Sequence, residues 1–157
     1  MNSESSFPSR GRLAGIDYGT VRIGISICDS DQILSSPLEN YSRRNQRMDD
    51  QFFLQLVKQE KIVGFVVGLP VHMSGDESKK SKEARKFGQH LTQVTQIPVT
   101  YFDERYTTAH AQQLLNQSGL TQKKRKQRLD KLAAQILLAA YLESSRESSS
   151  IKPLEDQ

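Results

Sequence analysis

Apolar residues follow two rhythms along this chain. LAGIDYG (13–19) reads as a first strand and RIGISIC (22–28) as a second. Ile23, Ile25 and Ile27 alternate with Gly24, Ser26 and Cys28, which predicts a strand with one apolar face. The intervening Gly19, Thr20 and Val21 predict a tight antiparallel hairpin. A third strand over Gln32–Leu38 extends the meander. Then the period changes. Met48, Phe52, Phe53, Leu56 and Val57 recur at helical spacing, so Gln46–Glu60 is predicted as an amphipathic helix. IVGFVVG (62–68) is a continuous apolar run, the mark of a strand buried on both faces. After the loop LPVHMSGDES come a charged helix from about Glu77 to Thr95 and a strand over Pro98–Phe102. A helix over 107–119 follows, with a Thr cap at its start and Gly119 past its end. A last helix carries Leu129, Leu132, Ala133, Ile136, Leu137, Ala140 and Tyr141 on one stripe.

The order β-β-β-α-β-α-β-α-α predicts an α/β fold. An antiparallel meander leads into parallel βα units in one mixed five-stranded sheet, with helices on both faces. A length of 157 residues suits one domain. The folded body is expected over 12–143, between a disordered lead-in (1–11) and a flexible, Ser-rich tail (144–157). No apolar run approaches the length of a membrane span, and MNSESSFPSRGR lacks the apolar core of a secretory signal. Cys28 is the single cysteine, expected as a small buried strand residue; a reducing cytoplasm fits. The net charge of +4 leans toward polyanionic partners. The clustering of charge, KKSKEARK at 79–86 and KKRKQR at 123–128, points the same way.

Three acids stand at element ends that a mixed sheet can bring to one edge. Asp17 closes an apolar strand, Glu104 follows the strand VTYF, and Asp130 opens the last helix. A charged group in so apolar a run as LAGID is costly unless paired or metal-bound. Carboxylates on rigid supports suit two hard divalent ions, Mg2+ or Mn2+, that clamp the attacking and leaving oxygens of a phosphodiester. Each acid has a plainer role as well: a turn residue for Asp17, a partner of Arg105 for Glu104, a helix-dipole acid for Asp130. Asp103 is the rival of Glu104. Asp29, Asp31, Asp49 and Asp50 read as turn and helix-start acids, and His72 as a loop bystander.

Four stretches occur in order at suitable spacings: GIDYGTVRIG (15–24), VVGLP with Gly75, DERYTT (103–108) and LDKLAAQILL (129–138). Together they resemble the YqgF/RuvX family of Holliday-junction resolvases, also regarded as nucleases that process the 5′ end of precursor small-subunit ribosomal RNA. The resemblance spans roughly residues 13–142. It implies an RNase H-like nuclease domain over 12–143 and a metal-dependent endonuclease, a hydrolase acting on ester bonds. The family's acidic set falls on Asp17, Glu104 and Asp130. Departures lie at His72 and Ser74, where the family commonly has Asn and then Asn or an acid, and at Tyr106, where an aliphatic residue is common. These bear on substrate fit rather than on the acids.

The expected partners are structured precursor rRNA, branched DNA or both, with no membrane. A homodimer goes with the junction, which needs two cuts. Thr20, Arg22, Arg105, Lys123, Lys124, Arg125, Lys126 and Arg128 are the candidate phosphate contacts. Arg105 is equally a structural partner for Asp103 or Glu104. Two rival readings use the same residues. One is a ribosome-maturation factor that binds nucleic acid without cutting. The other is an actin-like ATPase, whose phosphate hairpin GIDYGT resembles, but that architecture needs a second such hairpin.

Overall fold

The computed structural model describes residues 7–71, 77–107 and 132–146. Expectations for His72, the helix beyond Thr107, the basic run Lys123–Arg128 and Asp130 lie outside these residues. Among the described residues the strands are β1 (Arg12–Asp17), β2 (Arg22–Cys28), β3 (Ser35–Ser42), β4 (Ile62–Leu69) and β5 (Val99–Asp103). The helices are α1 (Gln46–Glu60), α2 (Lys79–Thr95) and α3 (132–146). None of them is long and apolar enough to cross a membrane.

The sheet order is β3-β2-β1-β4-β5. β1 pairs antiparallel with β2, and β2 with β3. β1 and β4 are parallel, as are β4 and β5. The C-terminal ends of β1, β4 and β5 therefore share one sheet edge, where polar residues of this fold class gather.

The alternation read from β2 decides how the two faces are covered. Ile23, Ile25 and Ile27 face α1 and α2, in a core with Ala14, Ile16, Phe53, Phe65, Val67 and Phe87. Gly24, Ser26 and Cys28 face α3, where Leu13, Val66, Leu138 and Leu142 close a smaller core. Both helices on the first face are capped locally. Asn45 accepts from the Met48 N–H and Ser78 from the Ser81 N–H, while Lys61 and Gln96 close the far ends in the left-handed conformation.

α3 lies unusually close to the sheet. The Ser26 hydroxyl donates to the Ala134 carbonyl at 2.6 Å. Ser35 and Gln135 exchange side-chain to backbone bonds at 3.1 Å each. A Cβ placed on Gly15 would stand 2.9 Å from the Ala134 carbonyl oxygen, so a bare backbone at 15 is what admits the helix.

One reading needs correction. The third strand begins at Ser35, not Gln32. The Asp29 carboxylate accepts from the N–H groups of Ile33 and Leu34, and Gln32 adopts φ 57°, so Asp29–Leu34 is a turn with its two apolar residues exposed. Asp49 does start a helix, but it is buried, 4% exposed, and bonded on three sides. Phe7, within the expected lead-in, packs edge-on against Tyr141 of α3 at 6.0 Å.

Candidate active site

Asp17 is the last residue of β1 and Glu104 the first after β5. Between them runs β4, which presents Gly68 at this level. A Cβ on Gly68 would stand 2.8 Å from Glu104 Oε2. On the other flank Gly24 of β2 is register partner to Asp17, and a Cβ there would stand 3.9 Å from Asp17 Oδ2. The two glycines leave a bare floor at Gly24 and Gly68, beside which both carboxylates stand. Ala134 of α3 bounds it above, 3.6 Å from the same Gly24 position.

Crowding two acids at a partly buried edge has an electrostatic cost. Burial, then the Asp17 charge, then the Asp103 charge push the Glu104 carboxyl up to about 7, with Lys80 pulling the other way. The adjacent Asp103 behaves oppositely. A side-chain bond from Arg105 holds its carboxyl below the usual range against burial, helped by the Arg105 N–H. Arg105 Nε donates to Asp103 Oδ2 at 2.8 Å. Adjacent acids thus have different fates, and it is Glu104 that meets Asp17. Arg105 takes the structural partnership that its position left open.

The turn after Asp17 is anchored from behind. A Cβ on Gly19 would collide with the Arg22 carbonyl, so the hairpin closes only on a glycine. The Arg43 N–H donates to the Val21 carbonyl at 2.9 Å. Arg43 Nη1 donates to the Tyr18 hydroxyl at 2.8 Å and to the Gly19 carbonyl at 3.4 Å, while Nε donates to Asp49 at 3.2 Å. Its guanidinium lies over the rings of Tyr18 and Phe87 at 5.3 and 5.9 Å. Asp49 also accepts from the Tyr41 hydroxyl at 2.7 Å and the Arg44 N–H at 3.0 Å. Burial and then this bond push the Tyr41 hydroxyl up to about 12. Burial works against the Asp49 charge, but its bonds from Arg44, Tyr41 and Arg43 hold the carboxyl below the usual range.

A cleft of about 830 Å³ opens beside Asp17, lined also by Thr20, Val21, Arg22, Asn40, Lys80 and Glu83. Thr20 and Arg22 stand exposed at the hairpin tip. Lys80 and Glu83 come from the start of α2, and Asn40 from β3 opposite Gly24. Sequence reading assigned none of these three a role. For Lys80 the basic cluster at 79–86 was the available signal; Asn40 and Glu83 carried none.

Among the described residues no group of three or more His, Cys, Asp or Glu side chains forms a metal cluster. Two carboxylates facing a bare glycine floor nevertheless fit a hard, oxygen-seeking dication, because a cation there removes the repulsion that burial imposes on Glu104.

A family profile described as RuvX, Holliday junction resolvase, matches residues 11–144. A protein of Rhodopirellula baltica named "Putative pre-16S rRNA nuclease" is 51% identical over 144 residues, covering 92% of this chain and 83% of that protein. A Koribacter versatilis protein of the same name is 36% identical over 133 residues, covering 85% and 87%. Among solved structures, Thermus thermophilus RuvC in complex with a Holliday junction substrate gives a TM-score of 0.54 at 12% identity, over 85% of this chain and 96% of that one. The yeast mitochondrial Holliday junction resolvase Ydc2 gives 0.50 at 9% identity, over 87% and 79%. Identities this low carry the fold alone, and the fold is that of the RNase H-like resolvases.

Proposed function

The chain belongs to the RuvX family of Holliday junction resolvases and is a nuclease, a hydrolase of phosphodiester bonds; we propose that it is a divalent-metal-dependent endonuclease acting on structured nucleic acid. Precursor small-subunit rRNA is its first substrate class, in keeping with the names of its relatives, and a four-way DNA junction the second. The observation that carries this reading is the placement of Asp17 and Glu104 at one sheet edge, Asp17 beside Gly24 of β2 and Glu104 beside Gly68 of β4.

In this reading Asp17 and Glu104 would hold the cation, Mg2+ or Mn2+. Asp130, four residues before Ala134 in sequence, supplies the third carboxylate. When bound, such ions lower the pKa of an attacking water and offset charge on the leaving oxygen. The chain's own residues do the rest. The Arg43 network holds the Tyr18–Gly19 turn, and with it the end of β1, in one position. Thr20 and Arg22 reach the substrate backbone from the hairpin tip, and Lys80 faces it from α2. Lys123, Lys124, Arg125, Lys126 and Arg128 extend the phosphate contacts, and Arg105 stiffens the turn that carries Glu104. Contacts of this kind read backbone and shape rather than base sequence.

The test is cleavage of a structured rRNA precursor and of a four-way DNA junction in Mn2+, by the wild type, Asp17→Asn and Glu104→Gln. The wild type cuts at least one substrate, and each variant loses about 100-fold or more of that rate, the loss of several kcal/mol of charge stabilisation. Wild-type rates in both variants would remove the acids from the chemistry. Binding without cutting by the wild type would leave a maturation factor instead.

A further inference from the structure

Glu104 and Tyr106 share one short 3-10 turn, Glu104–Thr107. Tyr106 is 67% exposed, a large aromatic ring open to solvent two residues after Glu104. The other large exposed apolar residues among those described are not aromatic: Val21 lines the cleft, Ile33 and Leu34 sit before β3, Leu38 on it, and Met48 and Leu54 on α1. The Tyr106 ring is not loose. It stands 5.9 Å from Phe102, which is itself wedged edge-on against Tyr141 of α3 at 6.0 Å. The turn beneath is held by the Thr107 hydroxyl donating to the Glu104 carbonyl at 2.7 Å and by the Arg105 N–H donating to Asp103 at 2.9 Å.

We propose that Tyr106 is a stacking platform for one unpaired base of the nucleic-acid substrate, next to the phosphate that a cation at Asp17 and Glu104 would hold. The inference rests on the nuclease reading and adds a substrate feature to it: the strand carries an unstacked base beside the cut. Glu104 and Tyr106 leave the same four-residue turn, so the carboxylate and the ring are carried by one short, hydrogen-bonded element. A phosphate at the carboxylates therefore puts a neighbouring base within reach of the ring. Buttressed tyrosine suits the task, because it offers a large flat face and loses little freedom on binding. Unpaired bases are stacked on such rings irrespective of their identity. A paired base keeps its neighbours and gains nothing from the ring, so the platform selects for branch points, overhangs and melted ends.

The test uses the full chain in Ca2+, a hard dication that takes oxygen ligands, with strand integrity checked by gel so that binding is read apart from cutting. The probes are a hairpin RNA with a short single-stranded overhang, the same RNA with 2-aminopurine at successive overhang positions, a blunt duplex RNA, and the DNA counterparts. In the wild type and in Tyr106→Phe, 2-aminopurine is quenched at one or two positions, and affinities for the overhang agree within about twofold. In Tyr106→Ala and Tyr106→Leu the quenching disappears and overhang binding weakens about tenfold, while blunt-duplex binding and the melting temperature stay at wild-type values. Quenching with RNA alone, DNA alone or both identifies the strand that uses the platform. Wild-type overhang affinity and quenching in Tyr106→Ala overturn the proposal, as does an equal loss on the blunt duplex. A wild type that quenches the probe but cuts nothing in Mn2+ removes the nuclease reading and leaves the platform. Active wild-type protein that quenches the probe at no position, and whose cutting rate Tyr106→Ala matches, removes the platform and leaves the nuclease.

Discussion

Replacing Glu104 by Gln in metal-free protein is expected to stabilise the fold at alkaline pH. The Glu104 carboxyl is pushed from its ordinary 4.5 up to about 7, first by burial and then by Asp17 and Asp103. Between those values the folded protein keeps a proton that the unfolded chain has released. Stability from this group is therefore complete below pH 4.5 and is lost as pH rises through 7. At 1.36 kcal/mol per pKa unit, the interval corresponds to roughly 3 kcal/mol, and solvent at this partly buried edge reduces it to about 1–3 kcal/mol. Gln cannot ionise and escapes the loss. Urea unfolding in EDTA from pH 5 to 8, on wild type and Glu104→Gln together, isolates the effect, since other titrating groups cancel in the difference. The window also avoids Asp49 and Asp103, whose lowered values cost stability only in stronger acid. The variant should gain about 1–3 kcal/mol over the wild type at pH 8 and only a minor part of that at pH 5. Mn2+ should then stabilise the wild type more than the variant, through binding to the native state alone. A gain that is flat with pH would refute the claim that Glu104 and Asp17 repel one another across the floor.

Gly68→Ala should disable the site while sparing the fold: the new methyl would stand 2.8 Å from Glu104 Oε2 and drive that carboxylate off the floor. Cleavage should fall at least tenfold while the melting temperature moves by a few degrees, about 1 kcal/mol; undiminished cleavage would mean that Glu104 need not stand where it does. Arg43→Met leaves the Asp49 charge buried without its cation and should cost about 2–4 kcal/mol in urea unfolding. Adding Asp49→Asn should recover part of that loss, and simple additivity of the two would argue against the pair.

Much of this fold could be read from local pattern. The alternation of Ile23, Ile25 and Ile27, the Val-rich run of β4 and the helical spacing of Phe52, Phe53 and Leu56 each act over a few residues, where periodicity decides the outcome. Misreadings came from side chains that bind at a distance or bend the backbone. Ile33 and Leu34 looked like strand residues until the Asp29 carboxylate is seen to claim their N–H groups. Asp49 does open a helix as read, but its burial was not legible, because Tyr41 and Arg43, which bond it, belong to the preceding strand and loop. Choosing Glu104 over Asp103 needed a resemblance at the sequence level; in space, alternation along β5 and the grip of Arg105 separate them. Lys80 stood in a basic cluster with nothing to mark it from Lys79 or Lys82, and only the placement of α2 brings it to the cleft.

The two acids are mounted on supports of unequal stiffness. Asp17 ends β1, which is bonded to a neighbour on each side, whereas Glu104 leaves β5, which has one neighbour among the described residues. Rim elements open at lower free energy than central ones. β1 is therefore the stiffer mount, and a shift of β5 against β4 would move Glu104 while leaving Asp17 in place.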